Sequence, residues 1–467
     1  MSFWYRETDR RRFMQGLLAA VPAGAVLIEA CQSGSSSSGS GMSTINTKQS
    51  VTLRMSNWWG DNYTNYIPIL QQEVGIGIKN EVTDVSQYEQ KLLVQLASGT
   101  APDIFLLDSN NNGDIFPSHL AQPFDDYLAH SNIDMAKWNI APKKEVGFNG
   151  QTLGLSVFTM QDLIVHVNKP LADADGLLTN APLWGTSRFD TWKWDDFVNW
   201  LKAGTKVVNG QVQQYGLGTL GGVDLGPYGL VAIYRALLGD NGGSIFDDDW
   251  NYGETVSKVD STASIDAAQK IADLVQVHKV APTPGTEGAI PGGTYRGKKA
   301  VSTIFWTTPS AFPESTLFPQ EYFHLPYITS KVHAVGANQL MVNKAGKNVD
   351  AALEWCTRFC IDTQVRTLFL QKAAIPSWDP LPIVNGSPEG TPKKIALINL
   401  ARIPGISSLP ADATNTSLYP RWYGKKASAF TQQTLQDALT KAVLGTATAQ
   451  QAMTAAKQAI DAQLKSA

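Results

Sequence analysis

The stretch "SQYEQKLLVQLASGTAPDIFLLD", residues 86 to 108, restricts the fold more than any other. In its first half Tyr88, Leu92 and Leu96 recur every four residues, one stripe of a helix, entered through a capping box of Ser86 and Glu89. Gly99 and Pro102 stop that helix. "DIFLL" is then apolar without alternation, the pattern of a strand covered on both faces within a parallel sheet. A helix feeding such a strand predicts α/β architecture.

Comparable units recur. "VTLRMSN" alternates Val51, Leu53 and Met55 with polar residues, a half-buried strand running into an aromatic loop. "TWKWDDFVNWLKAGTK" predicts a helix entered through Thr191, and "SIDAAQKIADLVQVHK" one with Ile265, Ala268, Ala272 and Val275 on a face. "NQLMVNK" reads as a strand before the helix "VDAALEWCTRFC", and two Ala-rich helices end the chain. No repeat of fixed period occurs, and 467 residues suggest two large lobes.

The first 31 residues differ in kind. Arg10, Arg11 and Arg12 precede an apolar run from Leu17 to Ile28 that is too short to span a membrane, the layout of an export signal. Arg10 to Phe13 resembles a twin-arginine motif, with Asp9 where Ser or Thr is usual, and Ile28-Glu29-Ala30-Cys31 resembles a lipobox. Residues 32–50 are Ser/Gly-rich, a flexible tether with a reach of roughly 25 Å. The expectation is an exported protein, lipid-anchored through Cys31 to the outer face of the cell membrane and monomeric.

A net charge of −3 with only 17% charged residues excludes the basic footprint of a nucleic-acid binder. "GGTYRGKKAVSTIFW", residues 292 to 306, mimics a phosphate loop, but Lys299 stands where a magnesium-binding Ser or Thr is required and a strand follows where a helix should. There is no G-x-S-x-G elbow, no H-E-x-x-H and no calcium loop. Cys356 and Cys360, four apart on one helix face, read as buried thiols rather than a disulfide or zinc pair. No metal or cofactor is expected. A glycoside hydrolase needs only two carboxylates placed by the fold, so a secreted carbohydrate hydrolase stays open as an alternative.

Four ordered segments carry a family resemblance: "YEQKLLVQLASGTAPDIFLLD", "FNGQTLGLSVFTMQDLIVHVNKPLADADGL" with Leu153 and Ser156 as departures, "DTWKWDDF", and "YRGKKAVSTIFW". Together they resemble the extracellular solute-binding proteins of ABC importers, in the maltose-binding class. That resemblance implies a periplasmic-binding-protein-like (type II) fold of two α/β lobes, 51–161 with 335–380 and 165–333 with 385–467, joined by a multi-crossover hinge. A carbohydrate ligand would be clamped between them and passed to ABC permease subunits, with no catalysis.

Sugar rings have apolar faces and hydroxyl rims, so aromatic platforms and short polar side chains at strand ends are the candidates. Trp58, Trp59 and Asp61 follow the first strand, and core packing is the alternative for one of the Trp. Asp108, Ser109 and Asn110 follow "DIFLL", with a plain Asx turn as the alternative. Gln161 matches a family position that holds a ligand-contacting carboxylate, and Trp306 matches the family's stacking Trp. Trp378 and Trp422 are further candidate platforms or packing residues, and Tyr228 completes the set. The same fold with glycerophosphodiester, polyol or peptide cargo is the other alternative; a cargo phosphate would call for basic residues that these loops lack.

Overall fold

The computed structural model describes residues 51–58, 60, 66–108, 112–138, 146–161, 163–220, 229–248, 253–286, 293–306, 317–329, 335–371, 375–400 and 428–466. Its strands are β1 Val51–Asn57, β2 Ile76–Val82, β3 Ile104–Asp108, β4 Gly147–Phe148, β5 Gln151–Thr152, β6 Leu155–Gln161, β7 Leu163–Asn168, β8 Lys206–Val208, β9 Gln211–Leu217, β10 Ala300–Trp306, β11 Gln320–His324, β12 Val335–Val342 and β13 Ile375–Pro376. Two sheets dominate, one in the order β13-β6-β12-β3-β1-β2 and one in the order β11-β7-β10-β9-β8.

In the first sheet β3 behaves as its composition requires. Ile104, Phe105, Leu106 and Leu107 are all fully buried. Ile104 and Leu106 join Leu53, Met55 and Val157 on one face, while Phe105 and Leu107 join Tyr88, Leu92 and Leu96 on the other. The Tyr88 hydroxyl lies within hydrogen-bond reach of the carbonyls of Ser56 (2.8 Å) and Leu106 (2.7 Å), tying the helix to both central strands. β3 is parallel to β1 but antiparallel to β12, so the sheet is mixed. β12 enters from the second sheet at the end where β6 leaves, and must therefore run against β3.

Two helix starts differ from expectation. The helix after β2 is Val85–Ala97, with Gln87 N donating to the Asp84 carbonyl (3.0 Å), so Ser86 lies inside the helix and not at its cap. The helix expected to begin at Thr191 is Trp194–Ala203; Lys193 N donates to Asp196 Oδ2 (3.0 Å), and the Thr191 hydroxyl closes a turn onto the Arg188 carbonyl (2.7 Å). In both cases local turn chemistry moved the boundary and left the helix itself in place. The Gly-Lys pair of the false phosphate loop forms a turn with Lys298 at φ 57°, after one helical turn at Gly293–Arg296 and before β10.

The helices Trp194–Ala203, Gly229–Asp240, Thr262–Gln276, Ser428–Val443 and Ala449–Ser466 cover one face of the second sheet and build the largest core cluster. The other face, at β7 and β11, meets the helix Thr391–Leu400 through Ile164, Tyr322, Ile395 and Ile398. The same helix sends Ala396 and Leu400 into a cluster with Leu370, Ile375 and Val384 beside the first sheet, and its Lys394 ion-pairs with Glu321 of β11. One short helix therefore packs against the flanks of both sheets.

Cys356 and Cys360 lie on the helix Val349–Ile361 as buried free thiols whose pKa burial pushes upward, so neither is a ready nucleophile.

At the edge of the first sheet Arg54 Nε donates to Glu81 Oε1 (2.8 Å), and this bond holds the Glu81 carboxyl below its ordinary 4.5. A depressed carboxylate stabilises the fold above the unfolded-state value and loses that contribution as pH falls through the folded one. Glu81→Gln should cost at most about 1 kcal/mol at pH 7, because Arg54 is 40% exposed. In urea titrations the difference from wild type should close below pH 4.5.

Candidate functional site

Strand direction decides which residues meet. β1 and β3 run parallel, so Asn57 and Asp108 end on the same side of the first sheet. β12 pairs Asn338 with Asp108 and Val335 with Gln161, which brings Trp58, Asp108, Asn338, Val335 and Gln161 to one edge. In the second sheet Trp306, the last residue of β10, pairs with Leu163, the first of β7. Only residue 162 separates Gln161 from Leu163. The Trp306 backbone is thus one strand spacing, about 4.8 Å, from a residue joined to Gln161 by about 7 Å of chain. The ends of the two sheets that carry these residues therefore meet at this crossover.

Within that edge, Asn57 is fully buried; its Nδ2 donates to Asn80 Oδ1 (2.5 Å) and its Oδ1 accepts from Gly60 N (3.2 Å), shaping the turn after β1. Trp58 is half-buried, edge-on to Tyr88 at 4.8 Å between ring centroids, and touches the core on both faces of the sheet. Part of its surface packs into the core and part stays exposed. Asn338, 2% exposed, has an Oδ1 with no hydrogen-bond donor among the described residues. It is a polar group at the site that the sequence reading did not single out, although Asn338 and Gln339 interrupt an otherwise apolar strand.

Trp378 lies elsewhere. Ser377 N donates to the Val157 carbonyl (3.2 Å), so Trp378 sits level with Ser156, several residues of β6 away from Gln161, and bridges to Trp138. Its ring lies between the Arg366 guanidinium, 4.7 Å from the centroid, and Lys137 Nζ at 5.3 Å. Arg366, only 6% exposed, donates to the carbonyls of Ile361 (3.0 Å), Trp378 (3.2 Å) and Asp379 (3.1 Å), and burial lowers its pKa. This is a packed corner of the first core. Arg366→Lys keeps the charge but loses the planar fork, and should cost about 1–2 kcal/mol in denaturant unfolding while leaving ligand affinity unchanged.

Trp59, Asp61, Ser109, Asn110, Tyr228 and Trp422 fall outside the described residues, as do Cys31 and the rest of residues 1–50. Among the described residues no group of three or more His, Cys, Asp or Glu is arranged to hold a metal, and no helix is long and apolar enough to cross a membrane.

Solved structures with the same arrangement include an ABC substrate-binding protein of Listeria monocytogenes in complex with cycloalternan, at TM-score 0.70 and 16% identity, covering 89% of this chain and 99% of that one. The GacH receptor of Streptomyces glaucescens, studied unliganded and with acarbose, matches at TM-score 0.67 and 15% identity over 89% and 98% of the two chains. The sugar-binding protein MalE of Xanthomonas citri matches at 0.66 and 13% identity over 89% and 98%. At these identities the likeness establishes the two-lobed periplasmic-binding-protein-like fold. No curated protein sequence matches. The profile of the family described as bacterial extracellular solute-binding protein matches residues 60–357, well over half of the chain, and the protein belongs to that family.

Proposed function

We propose that this protein captures a neutral sugar or oligosaccharide at the crossover edge and delivers it to an ABC permease by closing two lobes around it, 51–161 with 335–380 and 165–333 with 385–467. The observation that carries this reading is the convergence of Trp306 and Gln161 from opposite sheets, with Trp58, Asp108 and Asn338 along the same edge. An aromatic ring suits the apolar face of a sugar, and amide and carboxylate groups suit its hydroxyls. This edge set contains no cation, which disfavours a phosphodiester cargo. The solved relatives in complex with cycloalternan and acarbose support a saccharide of several units. Trp59, Asp61, Ser109, Asn110, Tyr228 and Trp422 are proposed as further contacts from the adjoining loops. A ligand that bridges both lobes favours the closed form, the state a transporter can sense. Export with a lipid on Cys31 completes the proposal; incorporation of labelled palmitate should be lost in Cys31→Ser.

A thermal-shift panel of oligosaccharides, polyols and glycerophosphodiesters tests the cargo. A cognate saccharide at about 100 times its Kd adds about 2.7 kcal/mol to stability. Stabilisation by a glycerophosphodiester alone would reassign the cargo, and release of shorter sugars from the ligand would replace the receptor with a hydrolase.

A further inference from the structure

On the face of the second sheet that the helix Trp194–Ala203 covers, a cavity of about 400 Å³ runs along that helix. That volume lies within the roughly 300–1,000 Å³ of ordinary small-molecule sites. Trp192 and Trp200 line it, with centroids 6.1 Å apart and both edge-on to Phe323, at 5.8 and 5.6 Å. Trp200 is buried and spends its Nε1–H on the Leu177 carbonyl (3.1 Å), which holds the aromatic wall rigid. Trp192 is half-buried, so part of its indole remains available to the cavity.

The polar lining is unspent. Asn180 and Asn199 line the cavity, and their side-chain amides make no hydrogen bond within the described structure. Arg188 commits one N–H to the Thr179 carbonyl (2.5 Å), and Asp196 commits Oδ2 to Lys193 N, leaving four guanidinium N–H groups and Oδ1 without a partner among the described residues. The lining carries one residue of each charge, Arg188 and Asp196, and so has no net formal charge. Two indoles beside two exposed amides and one residue of each charge form a surface for a neutral polyhydroxylated ligand with an apolar ring face.

We propose that this cavity is a second, low-affinity saccharide site on the helix-covered face of the second sheet, separate from the site between the lobes. An open rim and exposed amides set its affinity well below that of an enclosed cleft, with a Kd on the order of 1 mM. A lipid-tethered receptor carrying such a site would hold a long glycan near the cleft by its remote end, raising the local concentration that the cleft samples.

The test uses full-length protein labelled with 5-fluorotryptophan and maltotetraose as the probe. The Trp192 signal is assigned by its loss in Trp192→Phe. It should shift saturably in the millimolar range, and do so equally in Trp306→Ala, where the site between the lobes is impaired. The double variant Asn180→Ala/Asn199→Ala, changed only at exposed positions, should weaken that response at least fivefold and leave the cleft affinity unchanged. A Trp192 signal that stays still at millimolar maltotetraose overturns the second site whether or not the cleft binds. A shift that tracks cleft saturation and disappears in Trp306→Ala also overturns it, because Trp192 would then report lobe closure alone.

Discussion

Trp306→Ala should weaken saccharide binding by roughly 30- to 1,000-fold, a loss of about 2–4 kcal/mol, as expected for an aromatic anchor at the centre of an interface. The expectation rests on placement. β10 ends at Trp306, its last pairing is with Leu163, and residue 162 alone separates that pair from the end of β6. The backbone at Trp306 lies beside the crossover between the two sheets, and no other described aromatic combines a strand-end position with this proximity to it. Trp58 has the strand-end position but spends part of its ring on Tyr88, so Trp58→Ala should lose less affinity and more stability. Trp306→Phe retains an apolar face and should recover most of the binding. Calorimetric titration with the cognate saccharide measures all three, and an unchanged Kd in Trp306→Ala would remove the crossover edge as the site.

What could be read from the sequence follows from the range of the forces involved. The double-sided burial of "DIFLL" is local, and Ile104 and Leu106 do face one core while Phe105 and Leu107 face the other. Strand direction is not local: β12 lies antiparallel to β3 only because the chain returns from the second sheet, more than two hundred residues later in sequence. The helix Thr391–Leu400 left no periodic signal, since its Ile395 and Ile398 meet one sheet while Ala396 and Leu400 meet the other flank, and apolar residues around the whole helix erase the stripe. Trp378 shows the same limit for a site. As a sequence it is an aromatic in a Pro-bounded turn, open to either a platform or a packing role. The Arg366 guanidinium against its ring, donated from twelve residues earlier, gives it a packing role that no motif encodes. Boundaries moved by a residue or two where a neighbouring acceptor offered a better cap, the Asp84 carbonyl for Gln87 N and the Asp196 carboxylate for Lys193 N.

Trp355→Ala should cost about 3–5 kcal/mol in denaturant unfolding, the usual cost of removing a large buried aromatic. Trp355 is fully buried on the helix Val349–Ile361, which covers β6 and β12, and its ring stacks on Phe359 at 4.9 Å and 25°. Phe359 in turn meets Tyr66 at 6.1 Å and Phe369 at 5.8 Å, so the cavity would open at the centre of an aromatic cluster whose members are fixed by three different helices or turns and cannot easily collapse into it. The Nε1 of Trp355 makes no hydrogen bond in the described structure, so its burial stabilises through apolar area and packing alone. Trp355→Phe should therefore cost much less than the alanine variant, since it keeps the ring contact and leaves no partner unpaired. The cluster lies on the face of β6 and β12 and not at the crossover edge, so the folded fraction of both variants should bind saccharide with wild-type Kd. A loss below about 1 kcal/mol in Trp355→Ala would mean that this helix does not close the first core, because no well-packed interior absorbs a void of that size at so small a cost.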